Sequence, residues 1–285
     1  MEVTPELTLG ITLAVLGAGF LHAGWNALLK SAPGGDALLD TASVVAGSAV
    51  WGLAVVPFVP FPAAASWPYM AASATIHFGY YLTLAQAYRT GDLSFAYPLM
   101  RGTAPLIVAL LGVAFLGELP TALMAAGIVL ISIGIVSIAF VQHRKHPPAA
   151  AYWAFANAAI IAAYTLVDAR GVRASGNAAG YVSWLIFLEG LPFLLWVLRR
   201  RGRTAVRYVR SSAARGLIGG ACSLAAYGIV LWAMTQAPVA AVAALRETSV
   251  LFAALMGSLW LKERFGLPRL AGAVSVVLGI AALKL

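Results

Sequence analysis

Two arginines stand inside long apolar segments of the sequence, where a charged side chain is costly. Arg101 and Arg246 each lie about eight residues inside their segments, a depth of roughly 12 Å at 1.5 Å per residue. An arginine at the centre of a membrane helix costs about 2.5–3.5 kcal/mol on insertion scales, so something must offset it. One interpretation is a fork for the carboxylate or phosphate of a ligand. The other is an ion pair with Glu189 or Glu247, or packing in which backbone carbonyls accept the guanidinium hydrogen bonds.

Aromatic and polar side chains accompany the arginines at helical spacing. His22, Trp25 and Asn26 follow an i, i+3, i+4 pattern, which places them on one face of a helix. Rings with a polar tip suit a pocket for a flat or cationic ligand, although they also suit an interfacial belt or helix packing. The predicted ligand-binding residues are His22, Trp25, Asn26, His77, Tyr80, Tyr81, Tyr97, Arg101, Tyr164, Tyr227 and Arg246.

Acidic residues within the apolar segments are candidates for carrying protons. Glu189 lies in the middle of one segment, and Glu247 directly follows an arginine. A carboxyl group in such surroundings can bind and release a proton, but either residue could equally be the partner of an arginine. Glu118 and Glu263 fall at segment ends, and we interpret them as structural caps.

Several other kinds of chemistry have no support in the sequence. It contains no P-loop, no dinucleotide-binding fingerprint and no Gly-x-Ser-x-Gly elbow. His22 and His77 have no third ligand at a suitable spacing, and the single cysteine, Cys222, cannot form a disulfide, a Cys-rich zinc site or a thiol pair. We therefore expect no catalytic residues, no metal and no cofactor.

These residues are distributed over ten apolar segments. A membrane-spanning helix needs about 20 mostly apolar residues, and the runs here are continuous rather than alternating, which favours helices over strands. The chain has 285 residues, of which 61% are hydrophobic and 10% charged, more apolar surface than a soluble domain of this size could bury. The prediction is an all-α integral membrane protein with ten transmembrane helices, at 7–29, 37–57, 67–88, 93–116, 120–141, 150–168, 178–198, 214–235, 238–261 and 267–284.

The basic residues indicate an orientation. The loops that join segments 1–2, 3–4, 5–6, 7–8 and 9–10 hold fourteen of them: Lys30, Arg89, Arg144, Lys145, Arg199, Arg200, Arg201, Arg203, Arg207, Arg210, Arg215, Lys262, Arg264 and Arg269. The opposite face holds three: Arg170, Arg173 and Lys284. The positive-inside rule then places these five loops in the cytoplasm and both termini outside, in the cell (inner) membrane.

This topology also explains the net charge of +9 better than a nucleic-acid partner would. The expected partners are therefore a small-molecule substrate and membrane lipid, with no nucleic acid. The polybasic loop between segments 7 and 8 either anchors the topology or binds anionic lipid. The sequence leaves the oligomeric state open and is compatible with a monomer.

The two halves of the chain are related by a shift of 145 residues. The shift aligns an arginine, a glutamate and three glycines with residues of the same type: Arg101 with Arg246, Glu118 with Glu263, Gly112 with Gly257, Gly127 with Gly272 and Gly134 with Gly279. A repeat of five segments crosses the membrane an odd number of times, so the second copy must be inverted. Many secondary transporters have this architecture, with the site at the repeat interface. The predicted units are residues 1–146 and 147–285.

These residues resemble a known family. The pattern Pro105-Leu106, Gly117-Glu118, Gly127 and Gly134, echoed by Lys262-Glu263, Gly272 and Gly279, is similar to the EamA type of the drug/metabolite transporter superfamily. The resemblance covers the whole chain, and it extends to a Trp-containing first helix, His22-Ala23-Gly24-Trp25-Asn26. At the loosely equivalent position the second half has Tyr164 instead of Trp, so symmetry of the substrate path is not implied.

The resemblance implies ten helices in two EamA repeats and a transporter rather than an enzyme. It also implies proton-linked or gradient-driven movement of amino acids, metabolites or drugs, often outward, by alternating access through a central cavity. A weaker similarity to aromatic amino acid exporters favours aromatic amino acids as the substrate.

Other functions stay open at this point. An exporter of organic cations or drugs and an importer of other metabolites would use the same architecture. A membrane enzyme acting on lipid-linked substrates would need acids or histidines clustered at the membrane surface, whereas the polar residues here are scattered through the segments. A structural membrane protein would have no cavity.

Overall fold

The computed structural model describes residues 6–30, 36–91, 93–140, 147–261 and 267–284, which contain helices and no strand. The α-helices are α1 Leu9–Lys30, α2 Ala37–Val55, α3 Trp67–Thr90, α4 Leu93–Leu116, α5 Ala122–Phe140, α6 Pro148–Ala174, α7 Ala178–Arg201, α8 Arg203–Ser211, α9 Ala213–Met234, α10 Val239–Arg246, α11 Ser249–Leu261 and α12 Leu267–Lys284. Two short 3-10 helices, Val56–Phe58 and Ala64–Ser66, lie between α2 and α3.

The helices have the length and composition of membrane spans. Within the described residues, seven stretches are long and apolar enough to cross a membrane: Leu9–Asn26, Leu38–Phe58, Phe95–Leu116, Pro148–Ala174, Ala178–Arg201, Ala213–Met234 and Val239–Met256. Large apolar side chains such as Leu110, Ile133 and Val277 point outward and are more than half exposed, as expected where lipid covers the surface. The predicted all-α, multi-pass membrane class is confirmed, while the count of ten spans stays a prediction.

The predicted ninth segment, 238–261, is not one helix. It is divided into α10 and α11 at Glu247 and Thr248, where the backbone changes to hydrogen bonds three residues apart. The Thr248 hydroxyl donates to the carbonyl of Leu245 at 2.7 Å, which satisfies a helix-end acceptor. The break places Arg246 at the end of α10 rather than deep inside a continuous helix.

The polybasic loop between the predicted segments 7 and 8 also differs from expectation. It folds into the nine-residue helix α8. Gly202 separates α7 from α8 with a backbone φ of +51°, a conformation that glycine adopts without steric cost. The arginines of this loop are therefore displayed on a helical surface rather than on an irregular segment.

Helices α5 and α12 cross at glycines from the two halves of the chain. A Cβ atom on Gly127 would lie 2.8 Å from the carbonyl oxygen of Gly279, and one on Gly134 would lie 2.6 Å from that of Gly272. The Ser275 hydroxyl donates to the carbonyl of Leu130 at 2.7 Å beside these contacts. The glycines allow the two backbones to approach closely, as small residues do in membrane helix pairs.

The other helices enclose a central space. α3 and α4 pack on α6, α1 and α2 pack on α9, and α2 also packs on α7. At one end of the bundle, the Lys284 ammonium at the end of α12 donates to the carbonyl of Leu7, just before α1, at 2.8 Å. The described ends of the chain therefore lie side by side.

Candidate functional site

A cavity of about 640 Å³ lies between α1, α2, α3, α4, α6, α7, α9 and the end of α10. This volume falls in the range of roughly 300–1,000 Å³ that small-molecule sites occupy. The predicted candidate Glu189 lines the cavity. So do all the residues predicted from the sequence to bind a ligand: His22, Trp25, Asn26, His77, Tyr80, Tyr81, Tyr97, Arg101, Tyr164, Tyr227 and Arg246. The fold thus brings together side chains from both halves, and their part in binding stays a prediction.

Glu247 joins the two arginines of the cavity wall. Its Oε2 lies 2.5 Å from Nε of Arg101, and its Oε1 accepts hydrogen bonds from Nε and Nη2 of Arg246 at 3.2 and 3.1 Å. Glu247 is fully buried, and the two arginines are 4% and 5% exposed. The partner of both arginines is therefore Glu247, one of the two acids considered from the sequence.

This Arg101–Glu247–Arg246 triad is not electrically neutral. An arginine side chain stays charged in proteins, so two guanidinium groups and one carboxylate leave an excess of one positive charge. Both arginines line the cavity, whereas Glu247 lies behind them. A buried excess charge is unfavourable unless something neutralises it, and an anionic group entering the cavity would do so.

His22 and its neighbours extend this wall along α1. The Trp25 indole N–H donates to Nδ1 of His22 at 3.3 Å, and Nη2 of Arg101 lies 3.5 Å from Nε2 of the same ring. A neutral imidazole has one acceptor nitrogen, so His22 accepts from Trp25 or from Arg101 but not from both. The side chain of Asn26 donates to the carbonyl of His22 at 2.7 Å, which places it on the same face of α1.

Aromatic rings cover much of the remaining wall. His77 stacks on Tyr164 with ring centroids 4.2 Å apart. The Arg246 guanidinium carbon lies 5.9 Å from the centre of the Tyr164 ring, and that of Arg101 lies 5.8 Å from the Tyr97 ring. Both arginines thus combine an ion pair with a cation–π contact, which holds their planes in place. The cavity offers flat apolar surfaces beside a positive charge.

Glu189 lies on a different wall, on α7. Its Oε2 is 3.3 Å from Nδ1 of His77, a contact that is ionic only when the histidine is protonated. The same nitrogen lies 3.1 Å from the Ser73 hydroxyl and 3.0 Å from the Ser73 carbonyl. No lysine or arginine reaches within 4.0 Å of Glu189 in the described part of the chain. Its carboxyl group is therefore available to a cation or a proton in the cavity.

Asp168 is a buried acid that the sequence prediction left out of the site. The hydroxyl of Tyr227 donates to its Oδ2 at 2.5 Å, and that of Tyr181 donates to its Oδ1 at 3.1 Å. The predicted sixth segment ended at this residue. Because α6 continues to Ala174, Asp168 is interior, and the criterion that selected Glu189 would have selected it too.

The cavity extends toward one end of the bundle. Its lining reaches Asn26 near the end of α1, Asp40 near the start of α2, and Tyr88 and Gly91 at the end of α3. No comparable residue from the opposite ends of these helices lines it. Among the described residues, access is therefore from the end that carries α8.

The opposite end is held together by Glu118 and Arg173. Nη2 of Arg173 lies 2.6 Å from Oε1 of Glu118, and Nε of Arg173 donates to the carbonyl of Met234 at 2.8 Å. Nη2 also donates to the carbonyl of Ala237 at 3.4 Å, and Oε2 of Glu118 accepts from the Val239 N–H at 2.7 Å. The predicted capping role of Glu118 thus takes the form of a cap on α10, in the other half of the chain. This Glu118–Arg173 cluster links α4, α6, α9 and α10.

Comparison with known proteins identifies the class of the molecule. Residues 148–285, the second half of the chain, match the model of the EamA-like transporter family. The second half of the chain belongs to this family. The resemblance to the EamA type of the drug/metabolite transporter superfamily is thereby confirmed, and this EamA-like protein is a multi-pass membrane transporter of small molecules.

A solved structure, described only as "Crystal structure of protein", superposes on this EamA-like transporter with a TM-score of 0.74. The match covers 96% of this chain and 97% of that chain at 16% identity, so it shows the fold alone. A search of curated proteins finds no significant match.

Some predicted features of this EamA-like transporter lie outside the described residues. They are the cap Glu263 and the loop residues Arg144, Lys145, Lys262 and Arg264. The side chains of Lys30 and Arg269 also fall outside the description.

Proposed function

We propose that this EamA-like transporter exports small metabolites that carry a carboxylate, with aromatic amino acids favoured, by alternating access through the cavity. The observation that carries the proposal is the Arg101–Glu247–Arg246 triad, whose excess positive charge faces a cavity lined by aromatic rings. A guanidinium binds a carboxylate through paired hydrogen bonds, and the rings offer flat surfaces for an apolar side chain.

Glu189 supports an amino acid over a simple anion. It lines the same cavity from α7, while the triad belongs to α4 and the α10–α11 break. A zwitterion would place its carboxylate near the triad and its ammonium near Glu189. An organic cation would meet the excess positive charge of the triad, which opposes its binding.

The packing supports ten spans arranged as two inverted repeats, residues 1–146 and 147–285. Gly127 contacts Gly279 while Gly134 contacts Gly272, and each of these contacts becomes the other when the halves are exchanged. A two-fold axis in the membrane plane would produce this relation. The contact between Lys284 and Leu7 supports an even number of crossings, because both described ends lie at one end of the bundle.

The accessible end of the cavity supports export as the direction of transport. That end carries α8, the arginine-rich end of α7 and Arg215 at the start of α9. Under the positive-inside rule, this supports a cytoplasmic location for that end and both termini outside, in the cell (inner) membrane. A cavity open on this side would accept substrate from the cytoplasm, as an exporter requires. Proton coupling, if present, is better assigned to Glu189 than to Glu247, because Glu247 already pairs with two cations.

Efflux from proteoliposomes tests this proposal with a series of indole compounds. We expect tryptophan to be transported, and tryptamine, which lacks the carboxylate, to be at least tenfold slower, because a hydrogen bond to a charged group contributes about 1.5–3 kcal/mol. Indole-3-propionate, which lacks the ammonium, should fall between them, and glucose should not be transported. Faster transport of tryptamine than of tryptophan would contradict the proposal and favour the organic-cation alternative.

The Glu118–Arg173 cluster is expected to hold the far end of the cavity closed. Arg173→Ala removes the hydrogen bonds to the carbonyls of Met234 and Ala237 and should favour the state that is open at this end. A Val230→Cys substitution in a Cys222→Ser background places a thiol on the cavity wall nearest this end. A membrane-impermeant maleimide is applied separately to each side of the membrane. When it is added on the closed side, the labelling rate of this thiol should be about tenfold higher with Arg173→Ala than with Arg173 intact.

Arg170→Ala is the matched control for this measurement. Arg170 lies on the same helix, α6, is exposed, and has no hydrogen bond or ion pair with any described residue. Equal labelling rates in the Arg173 and Arg170 variants would show that the Glu118–Arg173 cluster does not control this end.

A further inference from the structure

Helix α8 forms a basic surface that the transport cavity does not use. It comprises Arg203–Ser211 and joins α7 to α9. Both neighbours are long and apolar enough to span a membrane, α7 as Ala178–Arg201 and α9 as Ala213–Met234. A nine-residue helix between the ends of two spans must lie at the membrane surface, where phospholipid headgroups are its immediate surroundings.

One face of α8 is attached to the protein. The Tyr208 hydroxyl donates to Oδ1 of Asp40 at 2.7 Å, and the Ser212 hydroxyl lies 2.8 Å from that of Ser43. Ala205 is buried on the same side. The hydrogen bond to Asp40 raises the pKa of the Tyr208 hydroxyl, so this group stays a donor at physiological pH. Asp40 and Ser43 belong to α2, which fixes α8 against the bundle.

The other face is exposed and arginine-rich. Arg203, Val206, Arg207 and Arg210 follow an i, i+3, i+4, i+7 pattern, which places them on one stripe of the helix. All four are exposed, Val206 by 42%. This stripe combines three guanidinium groups, which attract anionic headgroups, with one aliphatic side chain.

The arginines of this stripe have no acidic partner among the described residues. Their neighbours in sequence do: Arg201 lies 3.2 Å from Asp36, and Arg215 lies 3.9 Å from Asp40. The acids at the start of α2 therefore pair with arginines that flank α8 and leave the outer stripe unpaired. A negative partner for the stripe must come from outside the chain.

We infer that the outer stripe of α8 binds the phosphate headgroups of anionic phospholipids, with Val206 in contact with the upper acyl chains. The arginines donate to the phosphodiester oxygens, and an anionic leaflet adds a long-range attraction. A zwitterionic headgroup offers the phosphate but carries a compensating ammonium, so anionic lipids are preferred. Because α8 contacts Asp40, which lines the cavity mouth, such lipids would lie beside the accessible end of the cavity.

Lipid retention by the purified full-length transporter tests this inference. Native mass spectrometry would compare binding of phosphatidylglycerol with that of phosphatidylcholine, at low and high salt. Each arginine near an anionic surface contributes about 1 kcal/mol, so we expect roughly fivefold weaker phosphatidylglycerol binding for Arg207→Gln. For the triple variant Arg203→Gln/Arg207→Gln/Arg210→Gln we expect loss of the preference for phosphatidylglycerol, and for the wild type a preference that weakens with salt.

Three further variants test whether lipid binding depends on the charge and the aliphatic side chain of this stripe. The matched variant Arg170→Gln removes an exposed arginine elsewhere and should not change lipid binding. The triple Lys variant at positions 203, 207 and 210 keeps the charge and should keep the preference, even if the Gln variant is too unstable to purify. The Val206→Asn variant keeps the arginines and adds no charge, and it should still weaken binding, because it removes the acyl-chain contact.

Several results would overturn the inference. Equal binding of both lipids by the wild type would do so, as would an unchanged preference in the triple Gln variant. If inorganic phosphate displaced phosphatidylglycerol as effectively as added anionic lipid does, the stripe would be a site for free phosphate rather than a lipid surface.

Discussion

Arg246→Ala is expected to lower kcat/KM for tryptophan export at least tenfold and to leave the protein folded. The substitution removes one guanidinium from the Arg101–Glu247–Arg246 triad, and the remaining pair, 2.5 Å apart, is electrically neutral. The cavity then loses the excess charge that offsets a substrate carboxylate. Efflux from proteoliposomes gives the kinetic effect, and thermal unfolding in detergent reports whether the remaining pair holds the fold. The loss of a charge-assisted hydrogen bond of about 1.5–3 kcal/mol sets the expected magnitude.

A second variant separates the loss of positive charge from the loss of the Arg246 side chain itself. Arg246→Ala/Glu247→Gln restores the excess positive charge through Arg101, so it should export tryptophan faster than Arg246→Ala alone. The exposed Arg170→Ala serves as the control for removal of an arginine outside the cavity. If Arg101→Ala and Arg246→Ala both left export unchanged, the triad would have no part in binding a carboxylate.

The acid of the triad is expected to behave differently from its arginines. Glu247→Gln alone leaves two buried guanidinium groups without a carboxylate, and breaking a buried ion pair in this way costs about 3–5 kcal/mol. Its effect should therefore appear first as a lower unfolding temperature. This contrast separates the structural part of the triad from its part in transport.

Gly134→Leu is expected to lower the unfolding temperature by about 5–10 °C, because overpacking a close contact costs about 1–3 kcal/mol. A Cβ on Gly134 would lie 2.6 Å from the carbonyl oxygen of Gly272, which belongs to the backbone of α12 and cannot rotate away. The two helices must separate to accept the new side chain. Thermal unfolding in detergent, followed by size-exclusion chromatography of the heated sample, measures the effect.

Gly17→Leu is the matched control, because no neighbouring atom lies within 4 Å of a Cβ on Gly17 and the position is exposed on α1. It should be neutral or slightly stabilising, since leucine favours a helix more than glycine does. Gly279→Leu disturbs the related contact with Gly127 and should destabilise about as much as Gly134→Leu. A large effect in only one of these two variants would argue against a two-fold relation between α5 and α12.

Much of the candidate site could be predicted because a membrane makes polar residues conspicuous. Arg101 and Arg246 were selected because a charge in hydrocarbon is energetically costly, and His22, Trp25 and Asn26 because they share a helical face. All of them line one cavity in the structure. Asp168 was not among the predicted site residues; it does not line the cavity itself, but its carboxylate accepts a hydrogen bond from Tyr227, which does.

The partners of these residues could not be predicted, since they depend on distances between helices far apart in the sequence. Glu189 and Glu247 were equally good candidates to pair with the arginines. Only the packing of α4 against α10 selects Glu247, and only the break before α11 turns its carboxylate toward both guanidinium groups. Glu189 meets His77 instead.

The sequence by itself determined the membrane class, the approximate helix positions and the polar residues that need an internal environment. These properties follow from hydropathy and from helical periodicity, which are local along the chain. Tertiary structure alone decided which end of the cavity is accessible, how Glu118 and Arg173 join the other end, and that the polybasic loop forms α8 with one face on α2. Each of these features depends on contacts between helices that are distant in sequence. A local pattern of residues does not specify the energies of such contacts.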